Sequence, residues 1–142
     1  MIAIGCDHGG FDLKEKVMEH LKKQGIQVKD CGCYNKESCD YPVFGKAVGE
    51  SVSSGECEKG IVICTTGIGI SIAANKVKGV RAALCSDSLS ARMTRLHNDA
   101  NVLALGANIV GLGLAIEIVD IFLNTEFSKE ERHQRRINLL EE

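Results

Sequence analysis

Cys64 stands where an apolar run, Gly60-Ile-Val-Ile, gives way to a glycine turn, Thr65-Thr66-Gly67-Ile68-Gly69, and then to a second apolar stretch reaching Asn75. Ile61, Val62 and Ile63 form a β-branched run without polar alternation, the pattern of a strand buried on both faces of a parallel sheet. Gly67 and Gly69 let the chain turn sharply and approach a ligand. The first amides of the following helix lack intrahelical partners and lie at the positive end of its dipole, so they form an anion site. A thiol held there is stabilised as thiolate. It also reads as a small core hydrophobe, since free cysteine is among the most buried residue types. The turn alone is a weak signal, being neither G-x-G-x-x-G nor a P-loop.

The elements that position this turn alternate along the chain as βαβ units do. Ile2 to Ile4 predicts a strand, followed by a loop carrying Asp7-His8-Gly9-Gly10. Leu13, Val17 and Leu21 place a helix up to about Gln24, closed by Gly25. Ile26 and Val28 open a shorter, more polar edge strand. Pro42 marks the next helix start. Beyond the cysteine come a strand at Val80 to Leu84, a helix from Ser88 to about His97, a strand at Val102 to Leu105 and a helix from Leu112 to Leu123, then a polar tail from about Ser128. The expected fold is a single α/β domain over residues 1–142, a doubly wound, Rossmann-like, five-stranded parallel sheet of order 2-1-3-4-5 with helices on both faces. Its switch point between strands 1 and 3 brings Asp7 and His8 beside Cys64.

Composition narrows the function. With 142 residues, the chain can bury a core without disulfides or metal. A net charge of −2 with four Phe and two Tyr offers nucleic acid little attraction and little to stack on. No apolar run approaches the roughly 20 residues of a membrane span, and the N-terminus has no signal-peptide pattern. Seven cysteines without framework spacing fit a reducing, cytoplasmic setting. Cys31, Cys33 and Cys39 lack a usual zinc spacing. No metal or cofactor is expected.

Taken together, Gly5-Cys6-Asp7-His8, Asp40-Tyr41-Pro42, Cys64-x-Thr66-Gly67-x-Gly69-Ile70-Ser71, Asn75-Lys76, Arg92 with His97-Asn98-Asp99, Asn101-Val102 and Arg132-His133-Gln134-x-Arg136 closely resemble the type B ribose-5-phosphate isomerases, in the family that includes the galactose-6-phosphate isomerase subunits. The resemblance runs over nearly the whole chain. It implies a metal-free aldose-ketose isomerase of the pentose phosphate pathway, working through a cis-enediolate. In that reading Cys64 is the base moving a proton between C2 and C1, and His97 is the ring-opening acid/base, a task for which histidine as a residue type is apt. Asp7 handles the sugar oxygens. The amides after Thr66, through Gly67, Ile68 and Gly69, stabilise the enediolate. Asn98 orients the sugar, Tyr41 walls the pocket, and His8, Arg132 and Arg136 hold the phosphate. A helix starting at Ser88 at the strand carboxyl edge carries His97 roughly 15 Å away, so the working unit is expected to be a homodimer with shared sites, with a tetramer also open.

The sequence departs from the family pattern at Thr65, where glycine is common and where a side chain trims the pocket. Asn108 stands where many members carry a phosphate-reaching arginine, and Glu130-Glu131 replace a glycine pair. Alternative readings are an isomerase of allose 6-phosphate or galactose 6-phosphate, or a non-catalytic sugar-phosphate sensor on the same fold. His20, His133 and the other six cysteines read as structural or solvated.

Overall fold

The computed structural model describes residues 1–142. Five short strands, β1 (Ile2–Cys6), β2 (Val28–Asp30), β3 (Lys59–Cys64), β4 (Ala82–Leu84) and β5 (Val102–Gly106), pair in parallel. The β-branched and aliphatic runs of β1, β3 and β5 are buried throughout, apart from the half-buried Lys59, which a sheet covered on both faces requires. The helices are α1 (Phe11–Lys23), α2 (Tyr41–Ser53), α3 (Ile68–Asn75), α4 (Ser88–Asn98), α5 (Leu112–Asn124) and α6 (Glu131–Leu140). No helix is long and apolar enough to cross a membrane.

The sheet order is β2-β1-β3-β5-β4, not the expected 2-1-3-4-5. β5 takes the interior place beside β3, and β4, only three residues long and partly exposed, becomes the edge. Burial explains the exchange: the five residues of β5 are all fully buried, whereas β4 follows Arg81, whose guanidinium must reach polar partners outside the sheet. The expected strand at Val80 to Leu84 is shortened accordingly.

The order decides which face each helix covers. Crossovers between parallel strands are right-handed, so the two that step toward β2 share one face and the two that step toward β4 share the other. Val17 and Leu21 of α1, Ala91 of α4 and Ala115, Ile118 and Phe122 of α5 pack with Ile4, Ile63 and Leu105 on one face. Val48 and Val52 of α2 and Ile70 and Ala74 of α3 pack with Ala3, Val62, Cys64 and Ala104 on the other. The expected order would have sent α4 to the α2/α3 face.

One charged side chain is fully buried in this core. Lys14 of α1 has no solvent exposure; its Nζ donates to Asp30 Oδ1 at 2.7 Å and to the Cys33 carbonyl at 2.6 Å. It thereby ties α1 to the segment leading from β2 toward Tyr41. Replacing it with an apolar residue leaves the Cys33 carbonyl without its donor and the Asp30 carboxylate, still bonded by the Gly32 amide, without its cation, costing about 2–4 kcal/mol. Lys14→Met is therefore expected to lower unfolding free energy by about that amount in urea titration, and Lys14→Met/Asp30→Asn to recover part of the loss.

Candidate active site

At the carboxyl edge of the sheet, β1 and β3 end side by side, with Cys6 opposite Ile63 and the Asp7 amide bonded to the Ile63 carbonyl at 3.2 Å. Asp7, 7% exposed, caps the turn His8–Gly10: its Oδ1 accepts from the amides of Gly9 at 3.0 Å and Gly10 at 3.2 Å. Oδ2 is left for other partners. His8 is exposed, and its Nδ1 accepts the Cys39 amide at 3.3 Å.

Cys64, the last residue of β3, is 5% exposed, and the Gly67 amide donates to its Sγ at 3.1 Å. Gly67 has φ +78°, and a Cβ there would lie 2.8 Å from the Leu105 carbonyl carbon and 2.9 Å from the Gly106 nitrogen; both the turn and the packing require glycine. The amides of Ala107 and Asn108 bond the carbonyls of Cys64 and Thr65 at 2.8 and 3.0 Å, fixing the turn against the end of β5. The Thr66 hydroxyl accepts the Ile68 amide at 3.2 Å. The amides of Thr65, Thr66, Gly69 and Ile70 have no partner within the chain, the arrangement from which an anion hole is made. Tyr41 lies across Gly69, where a Cβ would fall 2.7 Å from its ring. Asp7, His8, Tyr41, Cys64, Thr65, Thr66, Gly67, Ile68 and Gly69 are thus gathered at one edge.

Five of the other six thiols are raised above their ordinary range by burial, Cys85 to about 11 and Cys6, Cys31, Cys39 and Cys57 in the same direction. They are poor nucleophiles.

His97, Asn98, Arg132 and Arg136 lie elsewhere. α4 runs away from the carboxyl edge, and the Asn98 carbonyl accepts Arg81 Nε at 3.0 Å beside the start of β4. Arg81 and Asn101 are bonded where β3 and β5 begin, whereas Cys64 pairs with Gly106 where they end. Four strand residues, about 13 Å, separate the two levels. The Thr94 hydroxyl donates to Asn98 Oδ1 at 3.1 Å. The largest cavity, about 680 Å³, is at this amino edge, lined by Arg81, Thr94, Asn98 and Leu140, and not at Cys64. α6 docks on α4 here. Arg132 pairs with Glu130 at 2.8 Å, and Arg136 is exposed one turn further on.

His133, read from the sequence as structural or solvated, proves structural. It is 7% exposed, and its ring stacks on that of His97 with centroids 4.3 Å apart and planes at 21°. Its position four before the buried Ile137 was the available signal. His20 instead bonds Asp120 between α1 and α5 at 2.7 Å.

The family model described as Ribose/Galactose Isomerase matches residues 2–140. The chain belongs to the ribose/galactose isomerase family. It is 48% identical to ribose-5-phosphate isomerase B of Escherichia coli, over 98% of this chain and 93% of the relative. The structure of Clostridium thermocellum ribose-5-phosphate isomerase B superposes with a TM-score of 0.97 at 56% identity, covering 99% of this chain and 94% of that one. That of the Mycoplasma genitalium ribose-5-phosphate isomerase B with bound ribulose-5-phosphate gives 0.93 at 43% identity, over 99% and 93%.

Burial lowers the pKa of His133, helped by the positive neighbours His97, Arg132 and Arg136 and opposed by Glu130. Above the ordinary histidine pKa of about 6.5 neither folded nor unfolded His133 carries a proton; below it the unfolded chain takes one up first, so folding is disfavoured as pH falls. The stability difference between wild type and His133→Phe is therefore expected to be constant above about pH 7 and to move against wild type below about 6.5, read as Tm across that range.

Proposed function

We propose that the chain interconverts ribose 5-phosphate and ribulose 5-phosphate through a cis-enediolate, in a homodimer whose two sites are each completed by the partner. The observation that carries this reading is Cys64 Sγ at the mouth of α3, bonded to the Gly67 amide among amides that have no other partner. A thiolate there removes the C2 proton of the open aldose. The charge that moves onto O1 meets preorganised donors at Thr65 to Ile70, worth several kcal/mol in comparable sites. The thiol then returns the proton to C1, while Asp7 Oδ2 passes the hydroxyl proton from O2 to O1. Carbon and oxygen protons balance without an external oxidant or reductant.

Furanose opening requires a proton to leave the O1 hydroxyl and one to reach the ring oxygen, the task of His97. Its distance from Cys64 in its own chain supports a shared site, in which His97, Asn98, Arg132 and Arg136 face Asp7, His8, Tyr41 and Cys64 of the other copy. His8 would then meet the arginines around one phosphate. Thr65 crowds Gly9 beside Cys64, which favours a five-carbon substrate over allose 6-phosphate or galactose 6-phosphate. The presence of both a base and a ring opener favours an enzyme over a sensor. The absence of any spanning helix and the cysteine content support a cytoplasmic place.

Purified protein is expected to isomerise ribose 5-phosphate faster than the six-carbon aldose phosphates, and Cys64→Ala to lose turnover while keeping its fold. Mixing Cys64→Ala with His97→Ala subunits should restore activity in up to about half of the sites of heterodimers. No regain after demonstrated subunit exchange contradicts the shared site, and full activity of Cys64→Ala contradicts the base.

Arg136 carries the second test. A charge-assisted bond to phosphate is worth about 1.5–3 kcal/mol, and because the phosphate is remote from C1 and C2 much of it is felt equally in ground and transition states. Arg136→Ala should raise KM roughly tenfold or more and lower kcat far less. An unchanged KM would make the Arg132/Arg136 face of α6 solvated surface only.

A further inference from the structure

His97 ends α4 on an exposed surface, yet a ring that must exchange protons with two oxygens of a sugar needs a fixed plane. The polar contacts of the last turn do not supply it: Thr94 binds Asn98, Arg95 binds Asp99 at 2.7 Å, and neither reaches the imidazole. What touches the ring is His133, stacked at 4.3 Å and 21°. We propose that His133 is the positioning residue of the ring-opening step, a buried flat face on α6 that sets the plane of His97 without touching the sugar.

Three features suit it to that task. It is held in place, because His133 and Ile137 form the buried face of α6, and the Ser128 amide and hydroxyl both bond the Leu96 carbonyl just ahead of His97. It does not draw His97 into a competing hydrogen bond, because the rings meet face to face. Its own charging is disfavoured: its Nε2 is buried without a hydrogen bond, and that burial together with the charges of His97, Arg132 and Arg136 lowers its pKa, against the pull of Glu130 Oε2 3.2 Å away. A neutral ring stacked on an imidazolium is attractive, whereas two imidazolium rings at this separation repel.

This inference rests on the isomerase reading and divides the reaction in a measurable way. Ribulose 5-phosphate is acyclic, so exchange of its C1 hydrogen with solvent deuterium needs Cys64 and the anion hole but no ring chemistry. Turnover of ribose 5-phosphate needs both. His133→Leu fills the volume without a flat face, and His133→Phe fills it with one. His133→Leu is expected to lower net turnover of ribose 5-phosphate roughly tenfold to 100-fold, the scale on which a misplaced catalytic group costs rate, and to leave C1 deuterium exchange by NMR within about twofold. His133→Phe should recover most of the turnover. Equal loss of turnover and exchange in His133→Leu, no loss of turnover, or a His133→Phe enzyme as slow as His133→Leu would each overturn the assignment. A wild-type protein that neither isomerises ribose 5-phosphate nor exchanges the C1 hydrogen of ribulose 5-phosphate would overturn the isomerase reading itself, and this inference with it.

Discussion

The handedness of the parallel crossover is the constraint on which the molecule depends. Each strand must be followed by a helix that returns the chain to the amino edge, and the right-handed return fixes the face on which that helix lies. Loops that follow strands therefore collect at the carboxyl edge, and loops that follow helices collect at the other. Asp7 and Cys64 follow strands; His97 and Asn98 end a helix. The same rule that gathers Asp7 and Cys64 at one edge leaves His97 and Asn98 at the other.

Precision at the carboxyl edge comes from backbone. The β3 to α3 turn is held by the amides of Ala107 and Asn108, and a glycine at 67 permits both a left-handed conformation and contact with Gly106. The free amides are thus held in place by backbone contacts. The amino-edge half is built differently. Two arginines hold the end of α4: Arg81 reaches the carbonyls of Asn98 and Asp99, and Arg95 reaches that of Ala100 and that of Thr125 after α5. The tail then docks through His133, joining a charged surface to a stacked pair of rings.

Glu130 gives this half a character of its own. Its carboxylate sits on Arg132 and beside His133, where an anionic ligand would also be drawn. Any phosphate bound there must displace or share that pair, which lies at the surface and is worth little in itself. Arg136, free of such a partner, is the readier cation.

Much of this was legible in the residues. The β-branched run before Cys64, the glycines after it, Pro42 opening α2 and Gly25 beyond α1 are local signals, and each acts through backbone sterics or hydrogen bonding that the neighbouring residues already determine. Periodicity placed the helices, and the alternation of elements gave the parallel sheet. Sequence by itself did not order β4 and β5, because pairing between strands far apart in the chain is chosen by total burial; only in the folded sheet does the wholly apolar Val102-Leu-Ala-Leu105 outcompete Ala82-Ala-Leu84 for the place beside β3. That choice in turn moved α4 to the α1/α5 face. Whether His133 was structural or solvated stayed open for a related reason: between Arg132 and Gln134 it looks solvated, and the ring it covers belongs to an element 36 residues earlier. Local chemistry is written in neighbours, whereas the company a side chain keeps across the fold is settled by which surfaces must be removed from water together.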